Sequence, residues 1–311
     1  MRRFELLTLG TGAALPARGR YPTAQLLNVH EGLFLIDCGE GTQERLREQG
    51  VNFQRIERIF ISHLHGDHYL GLQGLISSMH LMGRRNPLHV HGPQALKGIV
   101  DVQLRASETY LRYPLHIHIN PSESGTLVHA DHRVEVTALA LKHRIPTTGF
   151  LFRERQAPPS LRRERVHEIP HYLRDPVKQG ADLVLPDGRT VPNAELTLPA
   201  PPARSYAYCS DTAYAPELLP HLLGVDLLYH EATFTEQLIG RARETMHSTA
   251  AQAATLAREA GVRQLLLGHF SSRYKSEQAL LAEALAVFPN TRAAREGERY
   301  LIPERTGVDN L

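Results

Sequence analysis

The sequence predicts an α/β protein in which helices cover β-sheets, interrupted by one irregular insertion. Two observations carry that reading. Short apolar, β-rich runs alternate with helical stretches on both sides of a central segment. The central segment, residues 151–204, holds nine of the chain's 20 prolines and no sustained periodicity, which marks an inserted arm and not a packed layer. At 311 residues the chain can bury a substantial core. We therefore expect one domain over residues 1–311 that carries the arm at 151–204.

The elements follow in order. FELLTLGTG, GLFLIDCG and IERIFISH are expected strands, each ending in Gly, Asp or His, and TQERLREQ between them is a short helix. YLGLQGLISSMHLMG has the apolar spacing of a helix lying on a sheet, and PLHVHG, LHIHIN and VEVTALALKH are further strands. Inside the arm, RERQAPPSLRRER carries five Arg and two Glu, so it is a polar surface segment, and VLPDGRTV has the Asp-Gly signature of a hairpin. Order resumes with the strands SYAYCSD and VDLLYHEA. The helix STAAQAATLAREAG stops at Gly261, and QLLLGHF, SEQALLAEALAVF and ERYLIP add a strand, a helix and a closing strand.

Composition removes several function classes. Cys38 and Cys209 each lie in or beside an apolar run and are expected as buried free thiols. No CxxC pair exists, which excludes cysteine-based zinc binding. The N-terminus lacks a signal-peptide pattern and no run approaches a membrane span, so a cytoplasmic location without membrane attachment is expected. A net charge of +2 leaves any nucleic-acid binding to a local basic surface. Histidine is the exception: 18 of them, against nine Phe and no Trp, point to metal or proton chemistry.

The segment ISHLHGDHYLG concentrates that chemistry. His63, His65, Asp67 and His68 fall within six residues directly after a strand, a density that neither packing nor solvation requires. One residue separates His63 from His65, so an extended backbone aims both the same way. Asp67 and His68 follow on the turn begun by Gly66. Four-coordinate ions need more ligands than this segment holds, and three other strands end in suitable residues: His143, Asp211 and His269. We expect His63, His65 and His143 on one ion and Asp67, His68 and His269 on a second, bridged by Asp211.

Other residues are weaker candidates. Ser271, Ser272 and Arg273 directly follow His269; they read either as phosphate donors or as a polar loop. His89, His91, His116 and His118 alternate on strands without a nearby carboxylate in sequence and are expected at the surface or in packing.

The HLHGDH segment is similar to the HxHxDH signature of the metallo-β-lactamase superfamily. More narrowly, LGTGAALP, FLIDCGEGTQ, YCSDT, LYHEATF, RETMHSTAAQAA and LGHFSSRY together resemble the ribonuclease Z family along nearly the whole chain. The resemblance implies an αββα sandwich, two zinc ions (manganese or iron being admissible to the same ligands), and a homodimer. It implies endonucleolytic removal of the 3′ trailer from tRNA precursors, leaving a 3′-hydroxyl on the tRNA. In that chemistry paired cations stabilise the attacking and leaving oxygens and bring the pKa of water from ~15.7 toward ~7. By the same resemblance Asp67 orients or deprotonates the water, His247 steadies the phosphate or protonates the leaving oxygen, and Glu231 holds His247. His230 keeps a structural role. The wider superfamily leaves one alternative, a zinc phosphodiesterase or hydrolase of small esters without tRNA preference. The match breaks at two places: Tyr21 stands after Arg20 where the family often continues Arg-Asn, and the arm lacks the Gly-Pro element of many bacterial members.

Overall fold

In most strands the residues alternate between two buried cores, not between core and solvent. The computed structural model describes residues 3–305. Its first half contains strands β1 (Phe4–Gly10), β2 (Ala24–Val29), β3 (Gly32–Ile36), β4 (Ile56–Phe60), β5 (Leu88–Gly92), β6 (Leu115–Ile119), β7 (Leu127–Ala130), β8 (Val134–Leu141) and β9 (Thr147–Glu154). Helices α1 (Thr42–Glu48), α2 (Gly66–Tyr69), α3 (Leu72–Leu81) and α4 (Leu96–Ala106) lie between them. In β1, Phe4 and Leu6 enter one core while Leu7 and Leu9 enter another; in β3, Phe34 and Ile36 oppose Leu33 and Leu35 in the same way. A sheet that is apolar on both faces must be covered twice, and that requirement generates layers.

The chain splits into two compact units, one of residues 3–153 with 205–303, the other of 154–204, with which Glu304 and Arg305 also group. The smaller unit holds β10 (Ser160–Leu161), α5 (Arg174–Lys178), β11 (Leu183–Val184), β12 (Thr190–Val191), α6 (Asn193–Leu196) and β13 (Thr197–Leu198). It has its own small core of Ile169, Val177, Leu183 and Leu196. The Asp-Gly hairpin forms as expected, pairing β11 with β12 around Gly188 at φ 84°. The unit begins three residues after the expected arm boundary because Leu151–Arg153 still belong to β9.

The larger unit resumes with β14 (Ser205–Cys209), α7 (Leu219–Leu222), β15 (Leu227–Glu231), α8 (Ile239–Thr245), α9 (Ala250–Glu259), β16 (Gln264–Gly268), α10 (Gln278–Leu285), β17 (Thr291–Ala293) and β18 (Arg299–Leu301). Two seven-stranded sheets result, in the orders β18-β1-β2-β3-β4-β5-β6 and β17-β16-β15-β14-β9-β8-β7. Between the sheets lie Phe34, Phe60, Phe150 and Phe152, with Phe60 centroids 5.2 and 5.3 Å from those of Phe150 and Phe152. Each such ring removed from water stabilises by about 1.5–3 kcal/mol. Leu46, Leu72, Ile76 and Val100 bring α1, α3 and α4 onto the outer face of the first sheet. Leu222, Ala253, Leu256 and Leu280 bring α7, α9 and α10 onto the second. The architecture is the expected αββα sandwich.

Both cysteines are free and buried, and burial pushes each thiol up to about 12, so neither supplies a thiolate near neutral pH. Of the four strand histidines, His91 is buried and stacked 4.8 Å from Phe60, while His116 and His118 are exposed. Among the described residues no helix is long and apolar enough to cross a membrane.

Candidate metal centre

Strand ends deliver the side chains. The segment after β4 carries His63 and then His65, the latter in extended backbone, and α2 then turns Asp67 and His68 back toward them. Two glycines let this turn sit against the end of β3. A Cβ on Gly39 would lie 2.4 Å from the Asp67 carbonyl oxygen, and one on Gly71 would lie 2.2 Å from that of Gly39. The close approach is fastened by Cys38 N–H to His68 O at 2.8 Å and Gly71 N–H to Cys38 O at 2.9 Å. His143 follows β8, Asp211 follows β14 and His269 follows β16. Asp211 and His269 hold left-handed backbone at φ 57° and 56°, a conformation costly for side-chain-bearing residues and concentrated at functional sites.

The seven expected ligands converge in two groups. His63 Nε2 lies 3.0 Å from His65 Nδ1, and His143 Nε2 lies 3.2 Å from the same atom. Asp211 Oδ2 faces this group, 3.6 Å from both His63 Nε2 and His143 Nε2. Asp211 Oδ1 faces the other, 3.2 Å from His68 Nε2 and 3.0 Å from His269 Nε2. Asp67 Oδ2 completes the second group at 3.4 and 3.5 Å from those two nitrogens. The donor set suits cations: His68 Nε2 and His269 Nε2 are buried and turned toward the Asp67 and Asp211 carboxylates, while the opposite nitrogen of each ring is engaged. These clusters are compatible with a metal site.

Partners outside the ligand set fix the rings of His68, His269 and His143 and the carboxylate of Asp67, and most of these were invisible in the sequence. His68 Nδ1 lies 2.7 Å from Asp37 Oδ2, a fully buried carboxylate that also accepts from Ser62 N–H, Ser62 Oγ and Tyr208 OH. His269 Nδ1 meets Thr233 Oγ1 at 2.9 Å, and His143 Nδ1 donates to Met246 O at 3.0 Å. Asp67 Oδ2 accepts from Ala14 N–H at 2.7 Å. The signal for Asp37 was a charged residue closing the apolar run FLIDCG, but no spacing linked it to His68. Asp37→Asn is expected to weaken metal affinity by about 10–100-fold, read by competition with a chelator, because the ring of His68 loses its anionic anchor.

Charge divides along the same line. Burial, assisted by His68, holds His63 down to about 2, and burial also lowers His65 and His143, leaving neutral rings with free lone pairs. Burial opposes protonation of His68 as well, yet the carboxylates of Asp211, Asp67 and Asp37 outweigh it and raise this group well above its ordinary value. His269 is raised to about 10, burial being overcome chiefly by Asp211. Without a cation, protons on these two rings balance the carboxylates; a cation replaces them. The raised His269 contributes stability to the metal-free chain that is complete below about pH 6.5 and lost as pH rises through about 10. Denaturation midpoints of the metal-free chain are therefore expected to fall between neutrality and pH 10, and a flat or rising series contradicts this balance.

The proton-handling candidates stand beside the second group. His247 precedes α9, whose N-terminus is set by a reciprocal capping box between Thr249 and Gln252. Its Nδ1 lies 2.7 Å from Glu231 Oε1. Glu231 is fully buried at the end of β15 and accepts from Thr212 N–H at 2.8 Å and Thr233 Oγ1 at 2.5 Å. Burial lowers His247, but Glu231 prevails and raises it. His230, on the opposite face of β15, is buried with Nδ1 2.8 Å from Glu231 O, apart from these groups.

A cavity of about 380 Å³ opens over the centre, lined by His65, Asp67 and His247 and also by Ser271, Ser272 and Arg273. The loop carrying these last three is braced from below, with Arg18 Nε donating to Ser272 O at 2.6 Å and Arg20 paired to Glu277 at 3.1 Å.

Known proteins resemble this chain at two levels, sequence and fold. The family described as Anti-Pycsar protein Apyc1 matches residues 4–152. The chain is 48% identical over 298 residues to Ribonuclease Z of Bacteroides fragilis (strain YCH46), spanning 95% of this chain and 98% of that protein. Ribonuclease Z of Bacteroides thetaiotaomicron is 49% identical over 95% of this chain and 94% of its own length. Among solved structures, human tRNase Z, short form (ELAC1), is similar with TM-score 0.70 at 26% identity, over 96% of this chain and 99% of that one. The metallo-β-lactamase fold protein YhfI from Bacillus subtilis is similar in fold, with TM-score 0.68 at 18% identity over 96% and 99% of the two chains. The sandwich is thus a metallo-β-lactamase fold, and relatives about half identical along nearly its full length show that this chain belongs to the ribonuclease Z family.

Proposed function

We propose that this chain is a zinc-dependent endoribonuclease that cuts the 3′ trailer from tRNA precursors and leaves a 3′-hydroxyl on the tRNA. The observation that carries the reading is Asp211, whose two carboxylate oxygens each face one histidine group. His63, His65 and His143 would hold one zinc ion, Asp67, His68 and His269 a second, and Asp211 would contribute to both. Bound there, such ions acidify water and neutralise phosphate charge. Asp67, its Oδ2 anchored by the Ala14 N–H, orients the attacking water and takes its proton. As the phosphorus–O3′ bond breaks, His247 gives its proton to the departing O3′. Glu231 keeps that imidazole charged and aimed, so it is a positioning residue. Ser271, Ser272 and Arg273, which line the same cavity, receive the scissile phosphate. The chain acts as a homodimer in the cytoplasm, and sedimentation velocity reads the dimer directly.

The arm, residues 154–204, is the part that would favour tRNA over a small diester. Its exposed Arg163 and Arg189 can meet backbone phosphates. Its ends adjoin, Glu154 N–H donating to Arg204 O at 2.8 Å, so residues 155–200 can be excised while that junction is kept. The deletion is expected to lower kcat/KM on a 3′-extended pre-tRNA by about 10–150-fold, the loss of one charged contact of ~1.5–3 kcal/mol. Turnover of bis(p-nitrophenyl) phosphate should not change. Equal activity of the deletion and the parent on both substrates would remove the arm from substrate recognition. Strong diester turnover without any preference for structured RNA would instead favour a small-ester phosphodiesterase.

A further inference from the structure

We propose that Arg144 is a substrate-positioning residue that grips a phosphate flanking the one being cut. The inference rests on the nuclease reading above and adds to it a side chain with no role in the metal centre. Arg144 directly follows His143, so the strand that delivers the histidine also delivers the guanidinium to the rim of the cavity. It lines that cavity together with His65, Asp67 and His247, as do Arg241 and Arg273.

The three rim arginines differ in what already holds them. Arg241 pairs with Glu244 at 2.9 Å, and Arg273 lies over the Phe234 ring at 5.9 Å. Arg144 is exposed, and among the described residues its guanidinium has no hydrogen-bond or ion-pair partner.

An arginine at the rim of a site rich in carboxylates could have been neutralised internally; here it faces the opening. A guanidinium presents a planar fork that matches phosphate oxygens. A small diester has one phosphate, which the centre itself would occupy. A polynucleotide brings further phosphates, spaced along the strand, past the rim. Arg144 therefore acts on chain substrates and not on small ones, and it contributes to where along the strand the cut falls.

The test compares the parent, Arg144→Ala, Arg144→Lys and a remote charge loss, Lys97→Ala, all carrying their metal. Each is assayed on a 3′-extended pre-tRNA over a range of salt concentrations and on bis(p-nitrophenyl) phosphate. Arg144→Ala is expected to raise KM for the RNA about tenfold, one lost contact to a charged group. It should also flatten the log–log salt dependence of binding by about 0.7, the value for one phosphate contact on a single strand. Arg144→Lys should restore most of the slope, Lys97→Ala should leave the RNA values alone, and diester turnover should stay within about twofold throughout. The proposal is overturned if Arg144→Ala matches the parent on RNA, or if it slows both substrates equally, since that places Arg144 at the centre. A parent that turns over the diester but not RNA removes the nuclease reading itself, and this proposal with it.

Discussion

Asp67→Ala is expected to lower kcat for pre-tRNA cleavage by about 10²–10⁴-fold, the usual contribution of a positioned proton acceptor. The substitution removes one carboxylate with two proposed roles, ligand of the second ion and proton acceptor. That carboxylate shares the second cluster with His68 and His269, at 3.4 and 3.5 Å, and the Ala14 N–H fixes it at 2.7 Å. His63, His65 and His143 still face Asp211 Oδ2, so metal analysis should recover at least one bound ion per chain. Single-turnover rates with product mapping measure the loss. Cleavage at the parental rate would refute the assignment of Asp67, whatever the metal content.

His247→Ala should cost a similar about 10²–10⁴-fold in kcat while leaving metal content unchanged, because His247 belongs to the proton path and not to the ligand set of the proposal. Glu231→Gln separates positioning from chemistry. Burial pulls the His247 imidazole down and the Glu231 carboxylate, 2.7 Å away, pulls it up. Neutralising that carboxylate removes the strongest pull against burial and leaves only the weaker one of Asp211, so His247 loses its proton at lower pH. A reaction that needs protonated His247 must then lose rate earlier: the alkaline limb of the kcat profile shifts to lower pH, with a fall of about 10–100-fold at neutrality. A limb that stays in place, or moves upward, would mean that His247 is not the proton donor.

How far the sequence revealed this site depends on the kind of residue. HLHGDH was legible because four ligand-type side chains in six residues serve no packing purpose. His143, Asp211 and His269 were legible because each closes an apolar strand run, and strand ends meet at one edge of a sandwich. Asp37 closes such a run too, yet its role appears only once Gly39 and Gly71 let two backbones touch. Thr233 was hidden because a hydroxyl between a buried carboxylate and an imidazole carries no spacing signature. Among the elements, β9 was obscured because its run TTGFLFRE crosses the point where composition changes, and α4 because Leu96 and Val100 are its only fully buried anchors. Strand β5 shows a limit of alternation: a sheet covered on both faces can bury His91 against Phe60, where a period of two suggests solvent.

Two of the tethers around the centre are made by main-chain atoms, the amide of Ala14 and the carbonyl of Met246. Neither depends on the side chain borne at its position. Exchange of these residues among relatives would leave Asp67 and His143 oriented as before, so variability at 14 and 246 says nothing against their importance. Position 14 has one forbidden occupant on this account, proline, which has no amide hydrogen to offer. Positions 14 and 246, both in left-handed backbone at φ 66° and 57°, should welcome glycine or asparagine.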